Sequence, residues 1–417
     1  MDRLVIKGGR RLKGSVEISG SKNASLPIMA ATLLTAGEHQ IDNVPRLRDV
    51  MTMGRLLADL GAGYHIEKKR VTIDSTAVKN FEAPYDLVST MRASVLVLGP
   101  LVARLGKAKV SLPGGCAIGA RPINLHLMGL EKLGASISLD AGYVLAKAKK
   151  LKGASIYFDI PTVTGTENIM MAAVLAEGRT LIENAAREPE VVDLADALRA
   201  MGARIKGAGE SVIEIEGVSR LKPIKHSVIP DRIETGTFMA AAGITGGDIV
   251  IRKCNPQHLD AVINKLKDTG MKFKPVTGGV RVTSPERLRP VNARTMPYPG
   301  FPTDMQAQLM AMMSVADGTS VISESIFENR FMHVAELRRM GADITIEGGV
   351  ATVQGSAKLN CAPLMATDLR ASASLIVAAL AAEGETTIKR IYHLDRGYER
   401  IEEKLNKLGA DIRREKE

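Results

Sequence analysis

The chain has 417 residues, of which 45% are hydrophobic, 24% charged and 3% aromatic, and its formal net charge is +10 at pH 7. No stretch approaches the ~18 uninterrupted apolar residues of a membrane-spanning helix, and the first residues lack a signal-peptide core, so we expect a cytoplasmic protein without a membrane span. The positive charge favours an anionic partner, but the scarcity of aromatic residues argues against a surface that stacks single-stranded nucleic acid.

Six similar units follow one another along the chain at intervals of about 70 residues, which indicates internal duplication. A first glycine follows an apolar run in each unit: Gly37, Gly106, Gly178, Gly247, Gly318 and Gly384. A second glycine follows an amphipathic run: Gly61, Gly134, Gly202, Gly270, Gly341 and Gly409. Each unit is predicted to form a short strand, a buried apolar helix, a strand, an amphipathic helix with a glycine C-cap and two strands. Six βαβαββ units divide naturally into two similar α/β domains, with a new unit beginning near residues 222–230.

Polar or charged residues precede every buried helix, at the position where its N-terminus is expected. They are Lys22, Arg92, Thr166, Glu167, Arg232, Glu234, Asp304, Asp368 and Arg370. Helix capping explains an aspartate or a threonine there, but a lysine or an arginine opposes the helix dipole unless an anion also binds. The pattern therefore favours an anion-binding site at these helix ends over simple capping.

Cys116 lies in the segment LPGGCAIGARP, with Lys107, Lys109 and Arg121 nearby in sequence. Cations stabilise a thiolate, so Cys116 is either a nucleophile or general acid on an exposed loop, or an ordinary free cysteine. We expect Cys254 and Cys361 to be buried and inert. The three cysteines lack CxxC spacing and no two histidines stand at metal-ligand spacing, so we predict neither a metal nor a cofactor.

Seven segments spread over nearly the whole chain carry a family resemblance: GSKNAS, PGGCAIGARPINLH, AAREPEVVDLADAL, YPGFPTDMQAQLMA, FENRFMHVAELRRMGA, TDLRASASL and HLDRGYERIEEKL. Together they resemble the MurA enolpyruvyl transferases, the UDP-N-acetylglucosamine 1-carboxyvinyltransferase family. The resemblance implies two inside-out α/β barrels of three βαβαββ units each. Residues 22–229 would form the barrel that carries the Cys116 loop, and residues 1–21 with 230–417 the other barrel, with the active site in the cleft between them.

The resemblance also implies the reaction, in which the enolpyruvyl group of phosphoenolpyruvate moves to the 3′-hydroxyl of UDP-N-acetylglucosamine and phosphate is released. In this family the step opens peptidoglycan synthesis. The implied catalytic residues are Cys116, Asp304, Lys22 and Arg396. Cys116 matches the loop cysteine that also forms a covalent adduct with phosphoenolpyruvate and reacts with the inhibitor fosfomycin.

Further positions match substrate contacts of the family. Lys22 and Asn23 match contacts to phosphoenolpyruvate and the sugar, and Asp304 lies near the attacking hydroxyl. The other matching positions are Arg92, Arg121, Pro122, Ile123, Asn124, Leu125, Thr162, Val163, Ile326, Arg330, Asp368, Arg370 and Arg396. Ile160 stands where some members carry a lysine, so one uridine contact is absent.

Two alternatives remain open at this point. A shikimate-pathway enolpyruvyl transferase has the same fold and donor, although it needs neither the Cys116 thiol nor the segment GARPINLH. A basic RNA-binding or RNA-end-processing repeat protein belongs to a different class, and the low aromatic content argues against it.

Overall fold

The computed structural model describes residues 2–112 and 123–416. Within them the chain forms 24 strands: β1 (Asp2–Lys7), β2 (Lys13–Glu17), β3 (Glu38–Asp42), β4 (Gly63–Glu67), β5 (Arg70–Asp74), β6 (Glu82–Ala83), β7 (Lys107–Ser111), β8 (Ser136–Asp140), β9 (Tyr143–Lys147), β10 (Ser155–Tyr157), β11 (Arg179–Glu183), β12 (Arg204–Lys206), β13 (Val212–Glu216), β14 (Lys225–Ser227), β15 (Asp248–Arg252), β16 (Lys272–Val276), β17 (Gly279–Thr283), β18 (Ala293–Arg294), β19 (Thr319–Ser323), β20 (Asp343–Glu347), β21 (Val350–Gln354), β22 (Pro363–Met365), β23 (Glu385–Lys389) and β24 (Asp411–Lys416).

The same residues form thirteen α-helices: α1 (Lys22–Ala31), α2 (Arg48–Asp59), α3 (Tyr85–Val88), α4 (Leu98–Leu105), α5 (Asn124–Lys132), α6 (Val163–Ala173), α7 (Pro189–Ala200), α8 (Arg232–Ile244), α9 (Asp260–Asp268), α10 (Gln306–Met313), α11 (Val334–Arg339), α12 (Leu369–Ala381) and α13 (Ile401–Lys407). Short 3₁₀ helices cover Thr32–Leu34, Arg92–Val97, Pro256–Leu259, Thr303–Met305 and Ile391–Arg396. No helix in the described part of the chain is long and apolar enough to cross a membrane.

The described strands form six four-stranded sheets with one common plan, which confirms the predicted repeat. In the sheet of order β10-β11-β13-β12, β10 is parallel to β11, β11 is antiparallel to β13, and β13 is antiparallel to β12. Alternate residues face the core, as in the buried pair Ile182 and Ile213 of β11 and β13. Period-two alternation in the sequence therefore fixes which side of each sheet is buried.

Three strands join sheets whose other strands are distant in sequence. Strand β14 pairs with β3, β2 pairs with β15, and β1 pairs with both β23 and β24. The segment near residues 222–230 therefore completes the first sheet instead of beginning the fourth unit, which corrects the predicted start of that unit. Because every repeat has the same pattern, the pattern of the repeats alone does not reveal this exchange.

The described residues divide into two compact parts, each larger than one βαβαββ repeat. We call residues 2–19 and 230–416 the first unit, and residues 20–112 and 123–229 the second unit. The first unit has a core around α8, α10 and α12, and the second around α1, α4 and α6. All thirteen residues of α8 are buried. The predicted burial of the apolar helices is confirmed, since a helix that is apolar on all sides must be covered on all sides.

Candidate active site

A carboxylate held by two arginines forms a polar cluster in the first unit. Asp304 lies in the 3₁₀ helix that precedes α10 and accepts hydrogen bonds from Arg330 at 2.8 Å and from Arg370 at 2.7 Å, one on each oxygen. The two arginine side chains are 4% and 6% exposed, whereas the Asp304 side chain is 26% exposed. The buried cations therefore hold a more accessible carboxylate, which is an arrangement suited to contact with a ligand.

A buried hydroxyl and an amide support the position of Arg370. Its Nη1 lies 3.3 Å from the Tyr398 hydroxyl, which is 2.8 Å from the Thr237 hydroxyl and accepts from the Gln308 amide at 3.3 Å. Burial acts to lower the pKa of the Arg370 guanidinium, but attraction to Asp304, reinforced by Tyr398 and Asp231, raises it above the ordinary value. Arg370 is therefore a fixed cation at the start of α12.

Asp368, a predicted site residue, is the N-cap of α12. Its Oδ1 accepts from the backbone N–H groups of Arg370 at 2.8 Å and Ala371 at 3.1 Å, so capping explains part of its presence. His333 lies close enough to interact with both Asp368 and Arg330. Burial lowers the pKa of His333 to about 4, Asp368 opposes this shift and Arg330 adds to it, so the imidazole is neutral at pH 7.

The remaining predicted residues of this unit lie on two different segments. Ile326 follows β19, and its backbone N–H donates to the carboxylate of Glu324. Arg396 is the last residue of the 3₁₀ helix Ile391–Arg396. Sequence reasoning missed Glu324, Tyr398 and His333, although the last two lie in segments that carried the resemblance.

In the second unit, Lys22 and Asn23 are the first two residues of α1, after the N-cap Ser21. The Lys22 ammonium lies 3.5 Å from the carboxylate of Asp49, which belongs to the first turn of α2. Both side chains are largely buried, at 12% and 5% exposure. A partly buried cation at a helix N-terminus is the feature that the sequence predicted, and Asp49 is a partner that the sequence did not reveal.

His126, on α5 of the same unit, contacts two side chains of α6. Its Nδ1 accepts from the Asn168 amide at 3.0 Å, and its Nε2 lies 3.2 Å from the Thr164 hydroxyl. Burial, with a smaller contribution from Arg92, lowers the pKa of His126 to about 4. Arg92 itself begins the 3₁₀ helix Arg92–Val97. The network holds a neutral imidazole beside a predicted substrate-binding cation.

The predicted sugar-nucleotide contacts of this unit lie at two helix N-termini. Ile123 and Asn124 are the N-cap and first residue of α5, and Leu125 follows in its first turn. Thr162 caps α6 by accepting from the Gly165 N–H at 3.2 Å, and Val163 is the first residue of that helix. Ile160, where some family members carry a lysine, is 65% exposed.

Some charges before the buried helices have structural partners. Glu234 is buried and pairs with Lys404 at 2.5 Å, and it also accepts from the Ser19 backbone at 2.7 Å. Burial raises the pKa of Glu234, although Lys404 opposes the shift. Thr166 accepts from the Ala186 N–H at 3.1 Å. At these two positions a partner within the protein explains the polar residue. The predicted anion-binding site therefore includes only some of the polar residues found at the helix ends.

Cys116, Arg121 and Pro122 lie outside the described residues. Cys254 is partly buried, and burial raises the pKa of its thiol. Cys361, which we expected to be buried, is exposed, because it lies in the segment between β21 and β22 beside Gly384 and not within a sheet or helix.

Residues 6–405 match the EPSP synthase (3-phosphoshikimate 1-carboxyvinyltransferase) family. The chain therefore belongs to this family of transferase enzymes. Among curated relatives, it is 64% identical over 415 residues to the UDP-N-acetylglucosamine 1-carboxyvinyltransferase of Thermodesulfovibrio yellowstonii, covering 99% of this chain and 100% of the relative. It is also 64% identical over 417 residues to the protein of that name from Geobacter metallireducens, covering 100% of both chains.

Solved structures agree with the fold. The enolpyruvyl transferase NikO from Streptomyces tendae matches with a TM-score of 0.89 and 29% identity, over 99% of this chain and 98% of that one. An EPSP synthase from Acinetobacter baumannii matches with a TM-score of 0.76 over 100% of both chains, and at 20% identity it shows the fold alone. The predicted fold class is thereby confirmed.

Proposed function

We propose that the protein transfers the enolpyruvyl group of phosphoenolpyruvate to the 3′-hydroxyl of UDP-N-acetylglucosamine and releases phosphate. The observation that carries this proposal is the identity of 59–64% over essentially the full chain to relatives that bear the name of this reaction. We place the reaction in the cytoplasm, as the first committed step of peptidoglycan synthesis, where it serves cell-wall biogenesis, cell shape and cell division.

The geometry of Asp304 supports a role at the acceptor hydroxyl. Each of its oxygens accepts one hydrogen bond from an arginine, and a carboxylate oxygen has a second lone pair that can accept from a substrate hydroxyl. The carboxylate would orient the 3′-hydroxyl and take its proton as the oxygen attacks C2 of phosphoenolpyruvate. The bond formed is C–O, and the C3 methylene gains a proton in the same addition.

The cations account for binding of the donor, and the cysteine for its protonation. Phosphoenolpyruvate carries a carboxylate and a phosphate, which suit Lys22, Arg92, Arg121 and Arg396. Cys116 is the proposed acid for C3. Return of a proton from C3 to the Cys116 thiolate and cleavage of the bond between C2 and the phosphate oxygen then give the enol ether and free phosphate. The chain's own residues thus suffice for each proton transfer that we propose.

Phosphate release measured with each substrate alone and with both together tests the proposal. We expect release only with both, and release with shikimate 3-phosphate in place of the sugar nucleotide would favour the shikimate alternative. Lys22→Ala and Arg396→Ala should lower turnover at least ~100-fold, because each removes a cation from an anion site. Arg287→Ala, whose side chain is 71% exposed, is the matched control and should turn over like the wild type.

A thermal-shift series separates the three function classes, because a ligand stabilises the state that binds it. UDP-N-acetylglucosamine should raise the melting temperature, whereas shikimate 3-phosphate and RNA should not. Stabilisation by RNA alone would overturn the enzyme assignment in favour of the basic repeat protein.

The proposed covalent chemistry of Cys116 is tested by labelling with fosfomycin. The epoxide should modify Cys116 and leave Cys254 and the exposed Cys361 unmodified, as read by peptide mass spectrometry. Cys116→Asp should retain activity and resist fosfomycin, because a carboxylate is a weaker nucleophile than a thiolate, while Cys116→Ala should be nearly inactive. A label on Cys361, or full activity in Cys116→Ala, would refute this role.

A further inference from the structure

Glu324, directly after β19, accepts four hydrogen bonds on its buried carboxylate. Oε1 accepts from the Thr295 hydroxyl at 2.8 Å, from the Ile326 N–H at 2.8 Å and from the Phe327 N–H at 3.2 Å. Oε2 accepts from the Thr303 hydroxyl at 2.8 Å. Glu324 is 8% exposed, so these bonds lie away from solvent, where hydrogen bonds to a charged acceptor are strong.

The two oxygens of this carboxylate serve two different segments. Thr303 is the residue before Asp304, in the same 3₁₀ helix. Ile326 and Phe327 begin the segment that leads to Arg330, and the Arg330 guanidinium lies 5.5 Å from the centre of the Phe327 ring. One side chain therefore links the segment that carries Asp304 to the segment that carries both Ile326 and Arg330.

The six repeats allow an internal comparison at this position. In four other repeats, the residue after the second strand of the repeat has positive φ: Asn43, Asn184, Lys253 and Arg390. Glu324 occupies the same place after β19 and is not among the described residues with positive φ. At this repeat the backbone therefore follows a different path, and the side chain supplies hydrogen bonds to the next turn of chain.

The partner of Glu324 on the first strand also departs from the repeat. In four other repeats, the residue after the first strand of the repeat is apolar and buried: Ile18, Phe158, Val228 and Ala366. Thr295 takes this place after β18, and its hydroxyl both donates to Glu324 and accepts from the Ser325 N–H at 2.9 Å. A buried hydroxyl without a polar partner destabilises the fold, and Glu324 provides that partner for Thr295.

We propose that Glu324 is a positioning residue, which holds Asp304 and the Ile326 segment in fixed relative positions. The acceptor hydroxyl and the nucleotide of the same substrate then bind in the correct relative orientation. The proposal rests on the proposed function for the identity of these ligands. It assigns the two carboxylate oxygens separate roles: Oε1 orders the nucleotide segment and Oε2 orders the segment of the reacting carboxylate. A displacement of either segment would misalign the hydroxyl and C2, to which enzymatic rates are highly sensitive.

Hydrogen exchange and kinetics together test the proposal on the full chain. In Glu324→Ala, the amides of Ile326 and Phe327 should exchange ~10–100-fold faster, and kcat/KM for UDP-N-acetylglucosamine should fall ~100-fold or more. Glu324→Gln should recover most of both, because its oxygen can still accept from the amides and its NH₂ can donate to Thr303.

A second variant separates the two oxygens. Thr303→Val should lower kcat ~10-fold, with unchanged affinity for the sugar nucleotide by calorimetry and unchanged exchange at Ile326. Thr345→Val, at an exposed site on β20, is the control for this substitution and should match the wild type in every measurement.

The outcomes distinguish the two proposals. No transfer by the wild-type enzyme would refute the proposed function. Active wild type with normal kcat and KM in folded Glu324→Ala would refute the positioning role, as would a loss of melting temperature without any change in kinetics.

Discussion

His126 should make the stability of the second unit depend on pH, in a direction set by the burial of its imidazole. The Asn168 amide donates to Nδ1 of His126. The amide group of Asn168 cannot flip, because its Oδ1 accepts from the Gly99 N–H at 2.6 Å and its Nδ2 also donates to the Val95 carbonyl at 2.9 Å. A proton on Nδ1 would therefore face an N–H donor. Burial, with a smaller contribution from Arg92, lowers the pKa of His126 to about 4, and a donor fixed against Nδ1 acts in the same direction because it opposes protonation there.

The sign and size of the effect follow from the two pKa values. The unfolded chain binds a proton near the ordinary value of ~6.5 and the folded chain only near 4, so stability is lost as the pH falls through this window. Between about pH 7.5 and about pH 5, His126 alone should lower the free energy of unfolding by about 2 kcal/mol. Below the folded pKa both states bind the proton, and the loss levels off.

Urea denaturation of the wild type and of His126→Gln, compared at each pH, isolates this contribution from other titrating groups. Far-UV circular dichroism is the suitable probe, since the chain contains no tryptophan. The difference in unfolding free energy between the two proteins should change by about 2 kcal/mol across the window, in favour of the variant at low pH. His65→Gln, at an exposed position on β4, should leave the wild-type pH dependence intact. A pH-independent difference for His126→Gln would refute the assignment of a buried neutral imidazole.

Three further substitutions test other contacts, each by urea denaturation. Lys404→Met should cost about 3–5 kcal/mol because it leaves Glu234 buried without its cation, and adding Glu234→Gln should restore part of the loss. Tyr398→Phe should cost about 1–3 kcal/mol, since it removes a buried hydroxyl with three polar neighbours, and an unchanged stability would mean that the hydroxyl is dispensable. Gly20→Ala should destabilise by more than about 1 kcal/mol, because its Cβ would lie 1.6 Å from the Asn43 carbonyl oxygen, and a wild-type transition would contradict that backbone contact.

The repeating part of the fold was predictable from the sequence because it depends on local patterns. The glycines after the helices adopt positive φ at Gly61, Gly134 and Gly202, where residues with a Cβ are strained. The apolar helices had to be buried whatever their neighbours. The repeat pattern alone did not predict the exchange of β2 and β14 between sheets, because equivalent strands have interchangeable patterns; only the family resemblance had placed residues 1–21 with residues 230–417.

The site was only partly predictable, because charge at a helix N-terminus has more than one cause. Arg370 and Glu234 both lie in the first turn of a buried helix, yet Arg370 pairs with the Asp304 carboxylate, which is 26% exposed, while Glu234 pairs with the Lys404 ammonium. The partner decides the role, and each partner is distant in sequence. No local pattern distinguishes the two cases, since helix propensity and capping concern only neighbouring residues.

A chain built from repeats nevertheless contains a further source of information in the comparison of its own units. Aligned by their strands, four other repeats have a buried apolar residue at the place of Thr295 and a residue with left-handed backbone at the place of Glu324. Deviations that serve only stability would be expected to restore an apolar contact or a favourable turn. These two instead introduce a buried carboxylate and the hydroxyl that satisfies it, beside the segments of Asp304 and Ile326. These polar departures from an otherwise apolar repeat therefore lie beside the segments that we propose to bind the substrate.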